Sequence, residues 1–274
     1  MRRLMTLALV GSALSGSAQT TRTVQSTLLW PELQGELALK NGDYLLLALR
    51  GERTTADGYA QRTLGFDTRR ATVAYEHFWD ANWSWGGTAR YEWRSSSYDL
   101  LVPELLVRHR APIFGGITFG QRLSAEYIIP ANTNYLGGSG PKSQFWGRLR
   151  VDLEKVIALG GDATTGLALR PRLSYEASTH LRLQKTDNDL DERTIQFTSL
   201  RAEVGARVSP HFDFTPWFAY QTNYLVTLPQ YDKNGVQTAG GNLNLVYPTV
   251  GLDLRYTILP AGGKATRQQL PTQH

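Results

Sequence analysis

Glu176, Ser178 and His180 stand two residues apart in "YEASTHLRL", a stretch where an acid, a hydroxyl and an imidazole share one period. In contact, those three groups make an acyl-transfer site, the imidazole taking the hydroxyl proton and the carboxylate orienting the ring. On a strand, residues two apart are separated by about 7 Å, too far for a direct nucleophile–base hydrogen bond. The set therefore reads as part of a polar face, and no catalytic residue is assigned. His77 and His109 fall among apolar neighbours, His211 sits in a turn and His274 is terminal. The chain shows no metal-ligand spacing, phosphate loop or nucleophile elbow, so no metal or cofactor is expected.

Arginine is the residue whose spacing carries more. In "LALRPRLSYEASTHLRL", Leu167, Leu169, Leu173, Tyr175, Leu181 and Leu183 fall on one parity, while Arg170, Arg172, Glu176 and Arg182 fall on the other. Side chains alternate faces along a strand, so this is a ribbon with one apolar and one charged side. It is far longer than the roughly 5–6 residues of an ordinary strand. The pattern recurs. "WSWGGTARYEWR" sets Arg90, Glu92 and Arg94 against Trp83, Trp85, Ala89, Tyr91 and Trp93, and "LVPELLVRHRAPI" sets Glu104, Arg108 and Arg110 against Leu101, Leu105 and Val107. "ITFGQRLSAEYII" places Arg122 and Glu126 on the polar side, and "FWGRLRVDLEKV" adds Arg148, Arg150, Asp152 and Glu154.

The chemistry open to such a face is the gripping of carboxylate or phosphate by planar guanidinium forks. About fifteen Arg share this parity with about thirteen Asp or Glu, so a structural network of pairs between adjacent strands competes with a positive track for anions. Trp30, Trp146 and Trp217 fall on the inward parity, where they either fill a lumen or stack a ligand ring.

The elements that must position these residues form an antiparallel sheet with one greasy face. The chain has 274 residues, a net charge of +5 and no cysteine, which excludes a disulfide framework. Arg and acid are interspersed, so there is no basic patch for nucleic acid. "MRRLMTLALVGSALSGSA" has the form of a signal peptide over residues 1–18, with its apolar run too short to span a bilayer. Residues 19–259 then read as one domain, followed by a polar tail over 260–274. Tight turns at Asp80–Asn82, Gly115–Gly116, Gly160–Asp162 and Ser209–His211 alternate with longer loops at Ser95–Tyr98, Ala131–Gln144, Gln184–Arg193 and Gln230–Gly241. That alternation is the habit of outer-membrane barrels. Trp85 and Trp93, on one face of one strand, lie roughly 20–25 Å apart along the bilayer normal, close to the spacing of two aromatic girdles.

The expected fold is all-β: a transmembrane antiparallel up-and-down β-barrel of outer-membrane type. Eleven strands are clear, and outer-membrane barrels of this kind have even numbers. Reading Gly58–Phe66 as a further short strand gives about twelve, with Lys40–Asp43 an external hairpin and Thr54–Asp57 a turn at the opposite end.

The strand "STLLWPELQGELAL" with its lone Trp, then "YLLLALRGER" and strands of the "ARYEWR" kind, resembles a widespread outer-membrane β-barrel family catalogued as a domain of unknown function. The Arg-lined interior is also similar to that of the oligogalacturonate-type monomeric porins. The resemblance implies a barrel in the outer membrane of a Gram-negative bacterium and supplies no activity. The chain departs from such barrels in ending its last strand "LRYTIL" ahead of a polar tail, rather than on a terminal aromatic residue. The expected function is a narrow passive channel with some anion preference; the alternatives are a non-conducting structural or binding barrel acting through its external loops and, behind that, an outer-membrane lipid hydrolase. Expected partners are lipid and lipopolysaccharide, the barrel-insertion machinery and small anionic solutes, with the protein a monomer.

Overall fold

The computed structural model describes residues 21–56, 62–95, 97–133, 141–160, 167–182, 192–234 and 237–260. They form β1 (Thr21–Val24), β2 (Leu28–Ala38), β3 (Tyr44–Thr54), β4 (Thr68–Phe78), β5 (Trp83–Arg94), β6 (Asp99–Pro112) and β7 (Ile117–Ala131). β8 (Gln144–Lys155), β9 (Ile157–Gly160), β10 (Leu167–His180), β11 (Phe197–Arg207), β12 (Phe212–Tyr231) and β13 (Gln237–Ile258) complete the sheet. A single 3₁₀ turn at Phe114–Gly116 joins β6 to β7, and it needs glycine because Gly115 and Gly116 have φ of 65° and 71°. Among the described residues no helix is long and apolar enough to cross a membrane.

β2 to β8 and β10 to β13 close into an eleven-stranded barrel. Successive strands pair antiparallel, and β13 meets β2 in parallel from Thr249 opposite Leu28 to Ile258 opposite Leu37. An odd meander ends in the direction it began, so only a parallel pair can close it. Two short strands lie off this circuit. β1 pairs in parallel with β13 above β2, and β9 continues β8 along β10.

The expected twelve strands are thus corrected to eleven. The part of Gly58–Phe66 that is described, from Arg62 onward, forms a tight turn closed by a Thr63–Phe66 bridge, and β3 pairs directly with β4. Residues 57–61 lie outside the described residues. The clear ribbons already gave the barrel; the even-number rule added a strand that parallel closure makes unnecessary. The assignment of Lys40–Asp43 is corrected with it. That turn lies at the same end as 79–82, 113–116 and 208–211, hereafter the turn end, whereas Thr54–Asp57 begins at the loop end.

The faces follow the alternation. Outward residues such as Leu105 and Leu123 are 69% and 63% exposed, while inward Arg108, Arg122, Arg150 and Arg172 are buried. Bulk is fitted into the lumen by placing glycine opposite the largest side chains. Gly120 faces Asp152, Gly205 faces Arg170 and Gly251 faces Trp217, and in each case the partner lies over the glycine where a Cβ would stand.

Gly251→Ala is therefore expected to push the Trp217 indole aside and lower stability by about 1–3 kcal/mol in urea unfolding. Gly35→Ala, which meets nothing within 4 Å, should change it by no more than about 0.5 kcal/mol. Equal effects would contradict this packing.

Candidate functional site

The inward charges do not simply pair with the residue opposite. Register sets like charges face to face: Arg50 opposite Arg70, Glu104 opposite Glu126, and Arg122 between Arg108 and Arg150. Such pairs repel on a flat sheet. In a small barrel, inward side chains converge, and a residue two strands away comes within reach. Arg90 of β5 reaches over β6 to Glu126 at 2.8 Å, and Arg110 of β6 reaches over β7 to Glu154 at 2.8 Å. Arg201 of β11 reaches over β12 to Asp253 at 2.8 Å. Arg108 of β6 likewise reaches over β5 to Glu76, and adjacent-strand pairs fill in between: Arg70–Glu92 at 2.8 Å and Arg172–Glu203 at 2.7 Å. At the closure, Arg255 donates to Gln34 at 2.8 Å and pairs with Glu36 at 3.4 Å.

Toward the turn end this interior is solid. Every one of the eleven barrel strands contributes an inward side chain there that is more than nine-tenths buried. Arg108, Arg150, Arg170, Arg172, Glu104, Asp152 and Glu154 all belong to this packed half. Arg110, less deeply buried, is held by Glu154. An apolar cluster of Ala38, Tyr44, Phe78 and Leu259 lies beneath it, with Tyr44 edge-on to Phe78 at 5.8 Å between ring centroids.

Toward the loop end the lumen opens into a cup of about 320 Å³. Arg90, Arg94, Arg148, Glu92, Glu126 and Glu176 line it, and Arg50, Arg70 and Arg201 join them. Arg50 and Arg70 had a signal in "LALRGER" and "TRRAT", but the consecutive Arg69–Arg70 blurs the alternation. The inward aromatics divide. Trp217 is buried, set edge-on to Trp30 at 5.9 Å, under Arg201 at 4.0 Å and donating to Asp253 at 2.8 Å. Trp146 lines the cup and stacks on His180, with centroids 5.7 Å apart.

The acid–Ser–His set is not assembled. Ser178 Oγ is buried and hydrogen-bonds nothing, Glu176 pairs with Arg148 at 3.1 Å, and His180 Nδ1 lies 2.9 Å from Glu192. Arg182, expected to line the lumen, stands at the rim, where it donates to the same carboxylate at 2.9 Å. Burial raises the Glu192 pKa, but the bonds from Arg182 and His180 outweigh it and leave the carboxyl below its ordinary range. Much of the loops Ala131–Gln144 and Gln184–Arg193 lies outside the described residues, whereas most of Gln230–Gly241, expected as a loop, is described and pairs as the end of the β12–β13 hairpin. Among the described residues no three His, Cys, Asp or Glu side chains are grouped to hold a metal.

A second polar cluster sits on the outer face at the turn end. Asp43 accepts from the Tyr75 hydroxyl and from Asn41 Nδ2 at 2.7 Å, with His77 Nδ1 at 2.8 Å. His77 and Tyr75 also pack against Trp85.

Neither a protein-family model nor a curated protein matches this chain. Fold and site together define the class: a closed eleven-stranded β-barrel, apolar outside and charged inside, with a cup toward the loop end among the described residues.

Burial raises the Asp43 pKa, yet the hydrogen bonds from Tyr75, His77 and Asn41 win and hold it below its ordinary value. A depressed carboxyl contributes stability above its unfolded pKa and loses it as pH falls through the folded one. Asp43→Asn is therefore expected to unfold at lower urea than the native chain at pH 7, with the gap closing below about pH 4. A gap independent of pH would remove the charge from the explanation.

Proposed function

We propose that the protein is an outer-membrane β-barrel whose lumen is closed at the turn end and which acts through the cup at its loop end. The observation that carries this reading is the inversion of the usual burial. Leu33, Leu47, Leu49, Leu105, Leu123 and Leu149 are more than half exposed on the outside, while arginine and glutamate fill the inside. In water that outer face would be a large apolar liability; in lipid it is the expected surface. Trp79, Trp83, Trp85 and His109 cluster toward the turn end, and Tyr91, Trp93, Tyr127 and Phe145 toward the loop end, as girdles at two interfaces would. Short turns then face the periplasm and long loops the exterior, in a Gram-negative outer membrane reached by export and the barrel-insertion machinery.

The packed turn-end half supports a non-conducting barrel over a narrow channel. A passive pore needs a continuous aqueous path, and here paired charges and the Tyr44–Phe78 contact occupy the place where it would run. A channel with anion preference is the second reading, favoured by the arginines that line the cup.

Refolded protein, shown folded by its heat-modifiable gel mobility, is expected to give no discrete conductance steps in a planar bilayer. Reproducible anion-selective steps would overturn the closed reading and install the channel.

A further inference from the structure

The lining of the cup bears on what it holds, and this step rests on the proposal that the protein acts through the cup. Its lining carries six arginines, Arg50, Arg70, Arg90, Arg94, Arg148 and Arg201, against three carboxylates. Those carboxylates are shared. Glu92 serves Arg70 at 2.8 Å, Arg90 at 3.2 Å and Arg94 at 2.9 Å, and Glu126 serves Arg90 at 2.8 Å and Arg148 at 3.0 Å. Glu176 serves Arg148 at 3.1 Å and Arg122 at 3.4 Å. Further carboxylates lie behind the lining: Glu32 serves Arg50, Glu52 serves Arg70 at 3.2 Å, and Glu203 and Asp253 serve Arg201.

The hydrogen-bond inventory is lopsided in the same sense. Four donors of lining residues, Arg70 Nε, Arg148 Nε, Arg201 Nη1 and Trp30 Nε1, are buried and hydrogen-bond no group, while no lining carboxylate has a buried oxygen left without a partner. Arg94, at the mouth, is the most exposed of the paired arginines, about one third accessible. A buried donor without an acceptor is costly, and a guanidinium is matched best by a carboxylate or phosphate that takes two of its N–H groups. The volume lies at the small end of ligand sites. Trp146 and Phe197 add flat apolar wall beside these donors.

We infer that the cup is a binding site for a small acidic molecule bearing two or more oxyanion groups, gripped by Arg70, Arg94 and Arg148. Arg94 makes the first contact at the mouth. Arg70 and Arg148, which sit deeper, hold the second group.

The test is a titration of the refolded barrel in detergent at low salt, read by tryptophan fluorescence, with citrate and inorganic phosphate as probes and glucose as the neutral control. Saturable binding of citrate or phosphate, but not glucose, is expected, and the stronger probe tells a carboxylate ligand from a phosphate one. Binding should weaken with added salt, and Arg94→Gln or Arg70→Gln should each lower affinity roughly tenfold or more. Arg148→Lys, which keeps the charge and loses the fork, should lower it as well. No saturable binding by either anion to folded protein would overturn the site, as would affinities unchanged in both glutamine variants. This outcome is separate from the conductance result. A silent barrel that binds no anion loses the cup alone, and a conducting barrel that binds citrate loses only the closed lumen.

Discussion

Within lipid, a strand whose N–H and C=O groups lack partners has no water to turn to, so a sheet there must have no edge. In this chain that condition is met by the ten residue pairs that join β13 to β2 in parallel. The rest of the structure depends on that seam. It fixes the barrel at eleven strands, brings Arg255 within reach of Gln34 and Glu36 some 220 residues earlier, and sets Trp217 beside Trp30. Closure also makes the inside small, which is why its side chains must be fitted so closely, glycine opposite tryptophan and glycine opposite aspartate.

A buried ion pair adds little net stability, because desolvating two charges offsets much of their attraction. The interior network is better understood as a device for specificity. Shifting one strand by a residue would send its arginines outward and its leucines inward. At the bilayer midplane each such arginine would cost about 2–4 kcal/mol. The charges thus lock register, and the same pairing fills the turn-end half. Toward the loop end the lumen is not filled, and there the lining carries six guanidiniums against three carboxylates.

Much of this was legible in the sequence because period two is a local property. The alternation of "ARYEWR" or "FWGRLRVDLEKV" states which residues point in and which point out without reference to any other strand. What could not be read was anything decided by closure. The strand count turned on whether first and last strands run parallel, and no single ribbon records that. Pairing was expected between neighbours, whereas Arg90–Glu126 and Arg110–Glu154 skip a strand, which only the curvature of a finished barrel permits. The division of one arginine parity into a packed half and an open cup is likewise a matter of which side chains converge across the lumen. Ser178 and His180 show the reverse case: strand geometry alone was enough to keep them apart.

The central claim is that the outer face meets lipid, and the absence of cysteine allows it to be tested residue by residue. Single cysteines at Leu105, Leu123 and Leu149, spin-labelled in the refolded protein in vesicles, would report collision with oxygen and with a water-soluble nickel chelate. The account predicts ready access for oxygen and almost none for the chelate at all three positions. Labels relaxed by the chelate as freely as side chains in water would contradict it.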